Sequence, residues 1–254
     1  VLIGLGRNRR ALYASFQYLV LGTIGATFFL IGVGLLYMLT GTLNMVDLSE
    51  RLSGQHDNRV LFAAFSFLVV GLSLKLALFP LHLWLPNSYA YAPSIVTVLL
   101  AATGTKVAVY LLLRFGFTVL QVNQHHELLS IIDLLLPLAL IGMFAGSIVA
   151  IYQTDIKRLL AYSSISQIGY ILLGIALASE RGLIGAIVHV FNHGVMKAGL
   201  FVAVGAIALH AGGSSVNNLA GLGKCMPLTM AAFTVCALSL IGIPGTVGFI
   251  SKWY

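Results

Sequence analysis

The feature that most limits what this chain can become is the recurrence of long apolar runs. The hydrocarbon core of a bilayer is roughly 30 Å thick and takes about 20 helical residues to cross. Stretches of about that length fall at Ala11–Leu39, Val60–Phe79, Ile95–Phe115, Leu128–Tyr152, Leu159–Ala178, Leu183–Leu209 and Met226–Ile250. Strands of a membrane barrel would alternate over about 10 residues, so these stretches read as helices. The expected fold is an all-α, polytopic membrane bundle of about seven spans, with residues 1–254 forming one domain. A soluble domain carries about 25% charged residues; this chain carries 8%, with 59% hydrophobic, which excludes a water-soluble globule. Its formal charge of +7 is spread over loops and spans. No basic face with interleaved aromatics emerges, so nucleic acid is not an expected partner.

Both ends, Val1 in an apolar VLIGLG and Tyr254 after an apolar run, read as cuts in a longer membrane protein. The longer polar connection, Gly41–Arg59, contains NMVDLSERL, an amphipathic segment suited to a short helix lying in the interface. Orientation follows from Lys and Arg in alternate loops. Arg7, Arg9, Arg10, Lys157, Arg158 and Lys224 face Arg51, Arg59, Arg114 and Arg181 across the membrane, which puts the residues before the first span on the cytoplasmic side. Cys225 and Cys236 lie far apart in context, one in a loop and one in a span, and read as packing thiols.

Two spans carry interruptions. The second meets Pro80 and Pro86, and the last contains Gly242, Pro244, Gly245 and Gly248. Irregular backbone at membrane depth is tolerated only inside protein or beside a wet cavity. Paired interruptions of this kind mark inverted-repeat transporters; the alternative for each is an ordinary proline kink. Ionisable residues gather around them: Lys75 and His82 at the first, Lys252 at the second, and Lys106 midway along the third span. A lysine in hydrocarbon is costly unless paired, wetted or neutral, so it is a functional hypothesis by default. Desolvation makes an amine easier to deprotonate, the property a proton relay needs. Lys75 has snorkelling as an alternative and His82 the capping of freed carbonyls.

In the sixth span His189, His193 and Lys197 fall at i, i+4 and i+8, on one helix face. Two histidines at that spacing can ligate a metal, but Lys197 on the same face would repel a cation, so a polar relay face is expected and no metal. Asp133 near the start of its span reads as interfacial, and His125 and His126 as facing water. No carboxylate lies at the centre of a span, so some lysines are neutral or a partner acid comes from outside this stretch.

FPLHLWLPNSYAYAP followed by LLAATGTKVAVYLLLRF resembles the signature of the antiporter-like proton-conducting subunits. These occur in respiratory complex I, membrane-bound hydrogenases and the multisubunit Mrp-type cation/proton antiporters. DIKRLLAYSSISQIGYILLG, HVFNHGVMKAGLF and SLIGIPGTVGFISKWY continue the match in order along essentially the whole chain. The resemblance implies that Lys75 is the lysine of the first broken helix and Lys106 the central lysine of the helix after it. It likewise implies that His193 is the histidine of a later distorted helix and Lys252 the terminal ionisable group of the second broken helix. His82 matches a recurrent position. A carboxylate partner for Lys75 is implied on the helix just upstream of Val1. One departure is Gln167, where many relatives carry His; Gln holds no extra proton, so water would have to bridge there. LYMLTGTLNMVDLSERL and LIGIPGTVGFISKWY look most like the D-type subunit of the Mrp antiporters.

The implied function is therefore proton translocation in a multisubunit Na+/proton antiporter of a bacterial or archaeal cell membrane. Its alternative is the antiporter-like subunit of complex I or of a hydrogenase. Other membrane subunits, the bilayer, protons and Na+ are the implied partners. No cofactor or redox centre is implied. Two rival classes remain at this stage: a carrier binding an anion on its lysines, and a structural subunit whose lysines only satisfy neighbouring chains.

Overall fold

The computed structural model describes residues 2–6, 8–52, 58–124 and 126–254; Arg7 and His125, used above, lie outside them. Twelve α-helices make up the described fold. They are α1 (Arg9–Thr40), α2 (Met45–Leu52), α3 (Arg59–Leu76), α4 (Trp84–Tyr91), α5 (Ser94–Leu99), α6 (Thr105–Leu113), α7 (His126–Ile151), α8 (Ile156–Ala176), α9 (Glu180–Ala211), α10 (Leu222–Cys225), α11 (Pro227–Ile241) and α12 (Val247–Trp253). A wide π-helical turn at Leu100–Gly104 joins α5 to α6, and a second at Arg114–Val119 extends α6, making one span, Ser94–Val119. Among the described residues, six helical stretches are long and apolar enough to cross a membrane. The seventh expected span is divided between α11 and α12.

Local chemistry sets the ends. Asn8 caps α1 by accepting from the Ala11 amide at 2.7 Å, and Gly41 closes it at φ 72°, where a side chain would be strained. Asn58 starts α3, Asp155 starts α8 and Ser179 starts α9, each accepting from an amide of the first turn. The amphipathic segment forms α2. There Arg51 bonds Asp47 one turn back at 2.8 Å and donates to Thr40 O at 2.8 Å, so it also caps the end of α1. Because Arg51, and then Thr42, bond its carboxylate, Asp47 is held below the usual carboxylate range.

Helices α3, α8 and α9 make the interior, while α1 and α7 present mostly apolar surface outward. Phe65, Leu68 and Leu72 of α3 pack with Leu112, Ile132 and Leu172. A second cluster joins Trp84, Leu85 and Tyr89 of α4 to Leu160 of α8 and Phe201 of α9. Between α1 and α3 the backbones nearly touch: a Cβ on Gly71 would sit 2.7 Å from Gly25 O. With no hydrophobic drive between helices in lipid, such close approach by small residues supplies the packing.

Both interruptions are present, with one correction. The first runs over residues 77–83, where Ala77 takes φ 59° and Pro80 follows. Pro86 lies inside the first turn of α4, where the missing N–H costs nothing, so it starts the second half-helix instead of breaking the first. The second interruption runs through Gly242 and Gly245, both at φ 90°, with Pro244 between them. By contrast α7 continues through Pro137.

Candidate functional site

Lys75 ends α3, exposed at the edge of a cavity of about 370 Å³ bordered by Tyr18, Trp84, Tyr89 and Gly104. Its ammonium makes no hydrogen bond or ion pair among the described residues. The carbonyl freed just before it, Leu74 O, is met by Trp84 Nε1 at 2.9 Å. Capping this break was the alternative role expected of His82. His82 faces the Pro80 carbonyl inside the break, in keeping with that role, and it also stacks on Phe79 with centroids 5.2 Å apart.

Lys106 is buried, 8% exposed, just past the π turn, and its Nζ folds back to donate to Ala101 O. On α9, His189, His193 and Lys197 share one buried face as the spacing requires. Lys197 is wholly buried, donating to Leu160 O at 2.7 Å and Ser163 Oγ at 2.6 Å, both on α8. His193 is also wholly buried, yet neither ring nitrogen has a partner. Its ring stacks beneath His189, centroids 5.9 Å apart and planes 5° from parallel. His189 Nε2 meets Gln167 Oε1 at 2.9 Å, and its Nδ1 meets Ser251 Oγ at 2.7 Å. With both nitrogens engaged, His189 is not free to pair with His193 on a metal.

Lys252 reaches back across the second break, donating to Leu240 O at 3.0 Å and Ile241 O at 3.2 Å, the carbonyls that end α11. The ammonium lies 4.5 Å from the centroid of the Tyr170 ring, a geometry that stabilises a cation by about 0.5–2 kcal/mol. The break is also braced through Gly248, whose amide donates to Ser239 Oγ at 3.3 Å. A Cβ on Gly248 would collide with Ser239 O.

The fold thus brings Lys106, His189, His193, Lys197 and Lys252 near one another: Lys106 borders a cavity with Val190, Gly194 and Ala198 of α9, His193 stacks on His189 with Lys197 on the same face, and Tyr170 lies near both His189 and Lys252. Lys75 and His82 stand apart from it at the first break. Sequence reasoning placed Trp84 in the first break without giving it a partner and passed over Tyr170 and Ser251; none of the three carries a charge. Gln167 was noted only as a departure, whereas here it holds His189. Lys157, expected in a loop, is buried, its Nζ 3.4 Å from Ala92 O, and Arg158 donates to Asn87 Oδ1 at 2.6 Å. Both tie the start of α8 to α4 and its C-cap, the second half of the first broken helix. Asp133 is exposed on α7.

Long apolar helices, two of them broken, enclosing amines and imidazoles define a polytopic membrane protein with a polar interior. The chain belongs to the NADH:quinone oxidoreductase/Mrp antiporter transmembrane family, whose model matches residues 1–254. It is 45% identical to the N-type subunit of the NADH-quinone oxidoreductase of Desulforudis audaxviator over 253 residues, all of this chain and 50% of that protein. It is 35% identical to the D-type subunit of the Na(+)/H(+) antiporter of Alkalihalophilus pseudofirmus, again over all of this chain and 50% of the relative. The chain therefore spans about half the length of these curated relatives. Among solved structures it is similar to a chain of the membrane-bound sulfane sulfur reductase, an archaeal respiratory membrane complex, at 34% identity and TM-score 0.91, covering 99% of this chain and 51% of that one. A chain of the Mrp complex from Dietzia sp. DQ12-45-1b matches at 32% identity and TM-score 0.87, covering 96% and 44%.

Proposed function

We propose that this chain is the core of a proton-translocating subunit in a multisubunit membrane assembly. The observation that supports it most is the α9 face: buried His193 stacks on buried His189, buried Lys197 lies one turn on, buried Lys106 borders a cavity shared with α9, and half-buried Lys252 sits beyond Tyr170 at the second break. Amines and imidazoles so placed exchange protons when a neighbouring charge changes. In this reading Lys75 receives its proton beside the first break, held charged by an acid outside these residues. When that acid is screened, charge passes to Lys106, along the α9 face, and out through Lys252. His82 stands where it can gate the first break, and Pro80, Pro244 and Gly245 keep the backbone irregular there.

The assembly we favour is a multisubunit Na+/proton antiporter in a cell membrane, with the residues before α1 on the cytoplasmic side. A second reading, an antiporter-like subunit of an NADH–quinone oxidoreductase, is favoured by the 45% identity to the N-type relative. Growth of an antiporter-deficient host in high Na+ separates the two, since only the first restores it. The shared mechanism is tested by Lys106→Ala in the complete protein, which should abolish proton-coupled transport in vesicles while the complex still assembles. A normal transport rate in that variant removes the relay.

A further inference from the structure

His189 differs from the other titratable groups in the interior because its ring is held at both ends by neutral side chains from two other helices. Gln167 of α8 presents its amide oxygen to Nε2 at 2.9 Å, and Ser251 of α12 places Oγ 2.7 Å from Nδ1. A carboxamide oxygen only accepts, so Nε2 carries hydrogen in every state of the ring. The remaining nitrogen, Nδ1, is then the one that gains or loses a proton.

Ser251 can follow that change without leaving a bond unmade. Its hydroxyl has one hydrogen and two acceptors in reach, His189 Nδ1 and Gly248 O at 3.1 Å. With the ring neutral, the hydroxyl donates to Nδ1. With the ring protonated, Nδ1–H donates to Oγ and the hydroxyl swings to Gly248 O, inside the first turn of α12. His193 has no such provision, since both its nitrogens are buried without partners.

We propose that Gln167 and Ser251 are positioning residues that confine proton exchange at His189 to Nδ1, the atom facing the second broken helix. This rests on the relay reading above and deepens it: the step toward Lys252 leaves α9 from His189 Nδ1, the nitrogen that Ser251 of α12 holds on the side of the second break. The titratable groups facing His189 are Tyr170 of α8, Lys252 of α12, Lys106 of α6 and His193 of its own helix. They are held constant in the variants below.

The test is proton transport against pH in proteoliposomes holding the complete, assembled complex. Ser251→Ala should slow transport on the order of tenfold, the effect of about one unmade buried bond, and alter the pH profile, while Ser251→Thr, which keeps the hydroxyl, recovers most of the rate. Solid-state NMR of 15N-histidine-labelled protein, with His189→Gln for assignment, should show His189 as the Nε2–H tautomer. Gln167→Ala should admit both tautomers, and it carries the test if Ser251→Ala does not assemble. A parental rate and pH profile in assembled Ser251→Ala overturns the inference, as does equal impairment by Ala and Thr. An Nδ1–H tautomer in the parent, or an unchanged tautomer in Gln167→Ala, overturns it too. Lys106→Ala runs alongside. If it abolishes transport and Ser251→Ala does not, only this inference falls; if Lys106→Ala transports normally, the relay reading beneath it falls.

Discussion

Replacing Trp84 by Phe isolates what holds the first break in shape. The substitution keeps an aromatic ring against Tyr18, which the indole meets edge-on with centroids 5.1 Å apart. It deletes the N–H that Leu74 O accepts at 2.9 Å. An unpaired carbonyl in pure hydrocarbon costs several kcal/mol, but two facts lower that here. Leu74 O keeps a long bond from the Ala77 amide at 3.4 Å, and the cavity beside Lys75 gives water a route to the break. The expected loss is therefore about 1–1.5 kcal/mol, the low end for a buried group left short of a partner. Removing the five-membered ring adds a packing loss, so location decides the matter more than size. Denaturant unfolding in detergent gives the total, and hydrogen exchange read by mass spectrometry gives the place. Exchange should rise at residues 74–78, where the Ala77 and Leu78 amides bond Leu74 O and Ser73 O. If loosening runs along α4 with residues 74–78 unchanged, the indole fills space and caps nothing.

Two further outcomes follow from the geometry. Tyr170→Phe should leave Lys252 seated and transport near parental, whereas Tyr170→Leu, losing an attraction of about 0.5–2 kcal/mol, should lower the rate in the same vesicle assay. Equal rates for Phe and Leu would mean the ring only packs. At the α2 corner, Asp47 is held below its usual range by Arg51, so its contribution is present above the ordinary carboxylate pKa and lost as pH falls through the lowered value. Amide protection in α2, corrected for the intrinsic exchange rate, should fall as pH drops through that lowered value, and less so in Asp47→Asn, a small effect for an exposed pair.

The spans were legible because a bilayer demands long apolar runs, and that demand leaves little freedom. Their ends followed within a few residues where caps such as Asn8, Asp155 and Ser179 announce them. Proline was a poorer guide. Pro80 marks a true interruption, Pro86 begins a helix and Pro137 sits inside an unbroken one. Pro86 is harmless because it falls in the first turn of α4, where no intrahelical amide is owed, and local sequence does not state where that turn begins. The charged members of the site were legible for the reason the spans were: an amine in oil stands out. Their neutral partners were not. Trp84, Gln167, Tyr170 and Ser251 are ordinary residues for a membrane helix, and their roles arise only when α4 folds back on α3, or α8 meets α9 and α12.

That division bears on how the two breaks differ. Each is closed by a side chain from the second half-helix reaching back to carbonyls that end the first. At the first break the cap is the Trp84 indole, whose N–H does not titrate, and the adjacent Lys75 takes no part in it. At the second the cap is Lys252 itself, whose ammonium supplies the hydrogens that Leu240 O and Ile241 O accept. An ammonium has three hydrogens and a positive charge to set against the negative end of α11; a neutral amine has two and no charge. A change of charge at Lys75 therefore leaves the Leu74 cap as it was, while the same change at Lys252 weakens the closure of α11 and reaches Ser251 and His189 through α12. The two interruptions look alike in sequence, yet only the second couples backbone geometry to the state of its lysine.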